Sequence, residues 1–315
     1  MQRRITAIVT VCPLIAFAIL LLTPFCLAEE QGRAKGDMTD KTVTQKDQTG
    51  PDPRGFAPKF MPYYRYTELK NNLVVQEMTL FGMYAFTPRF AMTYEWPIAK
   101  YLDATDVSGF PSGQDGTPGD PGTGAPGAGF GPSTAEDDGD AIGMGDLNLR
   151  FFFKPEELEW GYDSSKLTGS IMFGSEILFP TATENVLGNE SLILSPMLVI
   201  VHDTPTHGFF AMMNFYDFTA FKDRRRDKVK QYRGRWFLMQ PLTKPGPWYG
   251  GIYLLPEFQP VYNLEGNNSF SFWFGPEVGK IIKPGVIVYA KPGWGVSPTA
   301  TEREFTFEFG WRWFF

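Results

Sequence analysis

The last twelve residues of the chain alternate so regularly that few folds can accommodate them. The odd positions are all aromatic, and the even positions are mostly polar or small. The aromatic residues are Phe305, Phe307, Phe309, Trp311, Trp313 and Phe315, and the even positions include Glu304, Thr306, Glu308, Gly310 and Arg312. Successive side chains of a strand point to opposite faces, so one face here is aromatic and the other is charged. Lipid outside and a polar lumen inside satisfy both faces, which predicts a strand of a transmembrane β-barrel.

The N-terminal segment 1–28 has the features of a secretory signal peptide. Arg3 and Arg4 make its start basic, and a long apolar run follows them. Small residues at Cys26 and Ala28 then predict cleavage after Ala28. The sequence therefore predicts export across the inner membrane.

A retained transmembrane anchor is the alternative for this segment, because the apolar run is long enough to span a bilayer. Pro13 and Pro24 interrupt the run, which favours the cleaved peptide. The next segment, 29–59, is polar and has no hydrophobic period. We expect a disordered periplasmic leader there.

The predicted mature chain is acidic and free of cysteine. Loss of Arg3 and Arg4 lowers the number of basic residues from 29 to 27 against 35 acidic ones, so the net formal charge falls from −6 to −8. Such a charge argues against nucleic acid as a partner. Cys12 and Cys26 both lie in the segment that is removed, which excludes disulfides, thiolate metal sites and cysteine nucleophiles.

From residue 60 to residue 315 the sequence predicts an all-β fold, an antiparallel transmembrane β-barrel of the outer membrane. The predicted strands are 61–68, 74–86, 90–102, 145–155, 166–179, 192–202, 208–220, 235–242, 249–264, 269–282, 286–297 and 304–315. An even strand number is typical of a single-chain bacterial barrel with both ends on the periplasmic side, and the longest links then fall on the outer side. A soluble β-sandwich also alternates, but it would need no export signal.

Ten charged residues are predicted to point into the lumen. They are Glu77, Glu95, Arg150, Lys154, Glu176, Glu257, Glu277, Lys291, Glu308 and Arg312. Rings of charge in a narrow lumen set the selectivity of a channel, so these residues are candidates for lining a pore. The alternative is a network of salt bridges that plugs or braces the barrel. A barrel of about twelve strands lies between small filled barrels and wide porins, so its size leaves both interpretations open.

Two stretches on the predicted outer side differ from ordinary loops. Residues 103–144 form a low-complexity insert rich in Gly and Pro, and we expect a flexible acidic surface loop without the ligand spacing of an EF-hand. The stretch 222–234 is strongly basic through Arg224, Arg225, Arg226, Lys228 and Lys230. Arginine pairs with phosphate in a fork geometry, so lipopolysaccharide is one expected neighbour of this basic loop. A solvated loop without a specific ligand is the other interpretation.

The sequence offers no catalytic arrangement. His202 and His207 are the only histidines, and both flank a predicted turn. No Ser–His pairing is visible, and carboxylate pairs on adjacent barrel strands are too common to indicate chemistry. We expect no enzymatic activity, no cofactor and no bound metal.

Three short motifs carry a resemblance to a known family. Residues 143–147 read Gly-Met-Gly-Asp-Leu at the start of a strand, and residues 174–181 read Gly-Ser-Glu-Ile-Leu-Phe-Pro-Thr, followed by Leu187 and Gly188. Together with residues 274–280, they resemble the transporter-like outer-membrane barrels named for the MetA pathway of phenol degradation. The resemblance covers about 142–315. It implies an outer-membrane barrel that passes small aromatic or hydrophobic compounds, and it supplies no catalytic residues.

The sequence therefore predicts an outer-membrane channel or transporter for small molecules, with the insert from Asp103 partly covering its mouth. A closed structural or binding barrel with surface loops is the alternative, and an outer-membrane lipid hydrolase is the third interpretation. The expected partners are outer-membrane lipids, lipopolysaccharide and an unidentified small solute. We also expect the barrel-assembly machinery to recognise the terminal aromatic residue, Phe315.

Overall fold

The computed structural model describes residues 53–69, 74–103, 140–162, 167–184, 187–189, 191–222, 228–243, 251–264, 270–283, 285–295 and 303–315. The predicted signal peptide, most of the predicted leader and most of the insert 103–144 lie outside these residues. So do Arg224, Arg225 and Arg226 of the basic loop. Among the described residues, no helix combines the length and apolar character needed to cross a membrane.

Fourteen strand segments of the described chain form one antiparallel sheet. They are β1 (Lys59–Leu69), β2 (Val74–Thr87), β3 (Phe90–Asp103), β4 (Ala141–Gly143), β5 (Leu147–Phe153), β6 (Glu159–Tyr162), β7 (Leu167–Phe179), β8 (Ser191–Asp203), β9 (Phe209–Lys222), β10 (Lys230–Pro241), β11 (Ile252–Asn263), β12 (Phe270–Lys283), β13 (Val286–Gly295) and β14 (Arg303–Phe314). A 3₁₀ turn, Glu156–Leu158, precedes β6.

The sheet closes on itself into a barrel of twelve strands. β1 pairs with β14 from Lys59 opposite Phe314 to Leu69 opposite Arg303, which joins the first strand to the last. β4 and β5 both pair with β3, and β5 and β6 both pair with β7. These three short segments therefore together occupy the position of one barrel strand, between β3 and β7. The predicted antiparallel transmembrane barrel is confirmed.

Most predicted strands match the observed ones within a few residues, but the basic loop does not. β9 runs to Lys222 and β10 begins at Lys230, so the loop predicted over 222–234 is shorter than expected. The error arises because Gln231 and Arg233 are polar strand residues that point into the lumen, where both are buried. A polar stretch of this kind resembles a loop when its pairing with the neighbouring strands is unknown.

The predicted alternation holds in the last strand. Thr306, Glu308 and Arg312 are buried inside the barrel, whereas Phe307 and Phe309 are 38% and 46% exposed on its outer face. A monomer in water rarely exposes large continuous apolar surfaces. The outer face of this barrel therefore suits the hydrocarbon of a bilayer.

The two ends of the barrel differ. We call the end where β1 begins and β14 ends the terminal end, and the opposite end the loop end. A buried apolar core fills the terminal half of the lumen. Its members are Phe152, Met172, Met197, Val199, Val201, Phe209, Ala211, Met213, Phe215, Phe237, Met239, Tyr253, Leu255 and Ile287. This core explains why the segments 192–202 and 208–220 are apolar on both faces: one face contacts lipid and the other contacts the core.

Residues 53–58, which precede β1, pack against this apolar core at the terminal end. The ring of Phe56 lies 6.3 Å from that of Phe152. The Arg54 guanidinium donates to the Asp203 carboxylate at 2.7 Å and lies over the ring of Phe209. Residues 53–59, which the sequence predicted as part of a disordered leader over 29–59, are therefore ordered, because side chains from Pro53 onward contact the inside of the barrel.

Candidate functional site

The middle of the lumen holds a layer of paired charges, which we call the ionic layer. It consists of Arg65, Glu77, Glu95, Arg150, Glu176, Asp217, Arg233, Arg235, Glu257, Glu277, Lys291, Glu308 and Arg312. Twelve of these thirteen residues are buried, and Arg235 is the partly exposed one. They form four groups, and short hydrogen bonds join the members of each group.

The first group centres on Arg65 of β1. Its guanidinium lies 2.7 Å from Glu77 Oε1 and 2.9 Å from Glu308 Oε2. The hydroxyl of Tyr289 donates to the other oxygen of Glu308 at 2.8 Å. Two carboxylates share one arginine, so this group has a net charge of −1 when all three are ionised.

The second group contains Arg150 and Arg233, which both contact Glu176. Arg233 Nη2 lies 2.6 Å from Glu176 Oε1, and Arg150 donates to the other oxygen of the same carboxylate. Arg150 also bonds Glu95 at 3.0 Å, and Arg233 bonds Asp217 at 3.0 Å. Three acids and two arginines give a net charge of −1. The hydroxyl of Tyr63 donates to Glu95 and is bonded by Arg65, which joins the first and second groups.

The third group is built around Glu257 of β11. Its carboxylate accepts from Arg235 Nε at 2.6 Å and from Lys291 Nζ at 2.7 Å. Two cations share one acid, so this group has a net charge of +1. Lys291 also lies over the ring of Trp273, with 5.2 Å from its nitrogen to the ring centroid.

The fourth group is an isolated bidentate pair. Arg312 places both terminal nitrogens 2.7 Å from the two oxygens of Glu277. The hydroxyl of Tyr253 donates to Glu277, and the guanidinium stacks 4.0 Å from the ring centroid of Tyr289. Planar, forked contacts of this kind are the strongest form of charge-assisted hydrogen bond.

The structure brings nine of the ten predicted lumen residues into the ionic layer. The exception is Lys154, which follows β5 at the terminal end and bonds Glu159 at 3.2 Å. Whether the nine line a path for solutes stays a prediction. Arg65, Asp217, Arg233 and Arg235 belong to the same layer and were missed.

A chamber of about 100 Å³ lies where the ionic layer meets the apolar core. Its lining combines the charged side chains of Glu95, Arg150 and Arg235 with the apolar side chains of Met213, Phe237 and Leu255. Pro53 of the N-terminal segment also lines it. A small molecule held there would meet charged donors and apolar surface at once.

At the loop end, residues 181–184 and 187–189 form a segment that we call the cap. Leu187 is buried with Leu69, Val75 and Leu102 on the inner face of the barrel. Lys100 Nζ donates to the carbonyl of Leu187 at 3.1 Å. The segment after β7 therefore folds into the lumen.

One carboxylate holds this cap in place. Asp146 accepts from the backbone N–H groups of Thr181 at 3.0 Å, Ala182 at 2.9 Å and Asn189 at 2.6 Å. Burial raises the pKa of the Asp146 carboxyl above its ordinary value, while these N–H groups and Lys100 oppose the rise. The Gly-Met-Gly-Asp and Pro-Thr motifs of the sequence thus meet at one contact.

The histidines lie at and next to the turn that the sequence predicted: His202 is near the end of β8 and His207 is in the turn. His202 Nδ1 lies 2.6 Å from the carbonyl of Asp203, and His207 has a φ of 65° in the turn between β8 and β9. In the part of the chain that the structure describes, no group of three or more His, Cys, Asp or Glu side chains could hold a metal ion.

Comparison with known proteins finds the fold rather than a sequence family. No family model matches the chain, and no curated protein matches it. The COG4313 outer membrane channel from Pseudomonas putida F1 is similar in structure, with a TM-score of 0.56 and 11% identity over 83% of this chain and 96% of that one. The NanC porin is also similar, with a TM-score of 0.50 and 9% identity over 82% of this chain and 100% of that one. At these identities the likeness establishes a shared barrel fold.

Proposed function

We propose that this protein is a channel of the cell outer membrane that passes small molecules and has no enzymatic activity. The observation that carries the proposal is the chamber: the closed barrel has a charged interior that is hollow where it meets the apolar core. Structural neighbours that are outer-membrane channels support the same location and role. His202 lies near the end of β8 and His207 in the turn that follows, so the described histidines give no support to a catalytic function.

The chain has the features of a channel in its closed state. The N-terminal segment 53–58 occupies the terminal end, and Leu187 occupies the loop end. Passage of a solute requires both to move. The resemblance to barrels of the MetA pathway suggests aromatic or hydrophobic solutes. A cavity that accepts benzene has a volume of about 150 Å³. The chamber is smaller, so an aromatic ring would enter only after segment 53–58 shifts.

A closed structural or binding barrel is the second candidate. The observation that favours it is the ionic layer, in which every carboxylate has a cationic partner and most are fully buried. Such a network braces the wall and leaves few groups free for a passing solute. A lipid hydrolase has no comparable support.

Three contacts with the surroundings belong to the same proposal. Lipid covers the aromatic outer face, and lipopolysaccharide phosphates contact the basic loop, of which Lys228 and Lys230 are exposed at the loop end. Phe315 is 65% exposed, which suits recognition of the chain end by the assembly machinery.

Conductance of the purified, folded protein in a planar bilayer tests the channel. We expect rare, discrete openings from the intact protein and longer or larger ones from a variant that lacks residues 53–58. A variant that lacks residues 105–140 reports whether the insert covers the mouth. Silence from all three proteins, together with no solute flux into liposomes, would overturn the channel in favour of the closed barrel.

A further inference from the structure

Arg235 differs from the other arginines of the ionic layer in its exposure. Its side chain is 25% exposed, whereas those of Arg65, Arg150, Arg233 and Arg312 are between 1% and 7% exposed. Arg235 points inward from β10 and lines the chamber. The exposed part of its side chain therefore faces the chamber rather than the outside of the barrel.

The free edge of this guanidinium can bind an anion. Nε and Nη2 both donate to Glu257, at 2.6 Å and 3.2 Å. Within the described part of the chain, Nη1 donates no hydrogen bond. A guanidinium offers five N–H donors in a fixed plane and cannot accept, so the partner that completes Arg235 is an oxygen, preferably of a carboxylate.

The local charge favours an anion at this place in particular. Glu257 divides its negative charge between Arg235 and Lys291, so the third group is the one group of the ionic layer with net positive charge. The first and second groups are net negative, and the pair of Arg312 with Glu277 is neutral. The remaining chamber carboxylates are held by their own arginines. An entering anion is thus attracted to Arg235.

The apolar side chains beside Arg235 determine the rest of the ligand. Met213 is the cross-strand partner of Arg235 on the neighbouring strand β9, and Phe237 follows Arg235 on the same face of β10. Leu255 completes this apolar surface. These side chains can contact an alkyl chain attached to the carboxylate. The volume, about 100 Å³, is below the 150 Å³ or so of a cavity that accepts benzene.

We propose that the chamber is a binding site for short-chain carboxylates, with the carboxylate on the free edge of Arg235 and the alkyl chain on Met213, Phe237 and Leu255. The inference rests on the proposed channel function, because it names the solute class of the same lumen. Longer or aromatic acids bind more weakly than butyrate unless segment 53–58 is displaced.

Calorimetric titration of the purified full chain in detergent tests the site. The probes are butyrate, butylamine and butanol, which share an alkyl chain and differ in charge, together with benzoate as the larger acid. We expect a binding heat from butyrate. The other three probes should bind at least about tenfold more weakly, and Arg235→Gln should lower the affinity for butyrate by at least about tenfold. Arg235→Lys restores part of the affinity because it keeps the charge.

The matched control is Lys230→Gln, which removes one positive charge from the exposed end of the same strand and leaves butyrate binding unchanged. The proposal is overturned if butylamine or butanol binds wild-type protein as well as butyrate does, or if a folded Arg235→Gln keeps wild-type affinity. The comparison among ligands on wild-type protein stands even if Arg235→Gln fails to fold. Butyrate binding without any solute flux would leave this site intact and remove the channel function. Solute flux without butyrate binding would remove this site and leave the channel function intact.

Discussion

The ionic layer and the apolar core fill the same lumen with opposite chemistry. In the core, side chains such as Met172 and Val199 pack without polar demands. In the layer, burial of each charge is tolerable because a partner lies within hydrogen-bond distance. The strand alternation that suits a membrane determines the outer face of a barrel, whereas the inner face is free to be polar or apolar. From this difference we expect that removing one charged partner from the ionic layer lowers the stability of the barrel more than removing side-chain volume from the apolar core does.

The largest effect is expected from Glu277→Leu in the ionic layer. Among the described residues, Arg312 would keep the hydroxyl of Tyr253 as a partner but lose the carboxylate of Glu277, to which both of its ion-pairing bonds go. Removal of one partner of a buried pair typically costs about 3–5 kcal/mol. Urea titration of the folded barrel, followed by tryptophan fluorescence, measures the loss.

The double variant Glu277→Leu with Arg312→Met separates charge from volume. An apolar replacement of a whole buried pair is often close to neutral, so we expect the double variant to recover most of the stability. A double variant as unstable as Glu277→Leu alone would mean that the pair contributes shape rather than charge balance.

The apolar core should respond less strongly. Met172 is fully buried, and Met172→Ala should cost about 2–4 kcal/mol through lost burial and a residual cavity. Leu198→Ala is the control, because Leu198 is 37% exposed on the outer face of β8, where lipid replaces the lost contacts. Equal losses from both would contradict a packed core and indicate a fluid interior.

The sequence predicted the barrel because each strand carries its own signal, and it missed those interior features that need two strands at once. Glu257 and Glu277 could be placed inward from alternation alone. Arg233 was missed because it fell in a predicted loop, and Arg65 because the aromatic residues around it obscure the alternation of β1. Asp217 lies in a strand that is apolar on both faces. The apolar residues on both faces of that strand were the one feature of the sequence that indicated the apolar core.

The cap shows the same limit. The motifs around Asp146 and Thr181 were found separately, as marks of a family. Nothing in a linear sequence shows that the Asp146 carboxylate accepts from backbone N–H groups of the segment after β7. Backbone donors have no residue signature, so a contact of this kind becomes visible only in the fold.

Asp146→Ala should loosen this cap with a smaller and local effect. The three N–H groups of Thr181, Ala182 and Asn189 lose a charged acceptor, and bonds to charged groups contribute about 1.5–3 kcal/mol. We expect their amide hydrogen exchange to accelerate about tenfold or more while the ionic layer keeps its protection. Glu184→Ala, which removes an exposed carboxylate from the same cap, should leave exchange unchanged. Acceleration throughout the barrel would contradict a local cap.

The smallest effect is expected where the same chemistry meets water. Arg89 and Glu156 lie 2.7 Å apart, the same separation as Arg312 and Glu277, but their side chains are 39% and 75% exposed. Solvent screens an exposed pair and hydrates each partner left alone, so Glu156→Leu should cost less than about 1 kcal/mol in the same urea titration. Because distance and residue types are matched, the ratio between the two losses measures burial itself. A loss at Glu156 comparable to that at Glu277 would mean that geometry, rather than exclusion of water, makes the ionic layer sensitive.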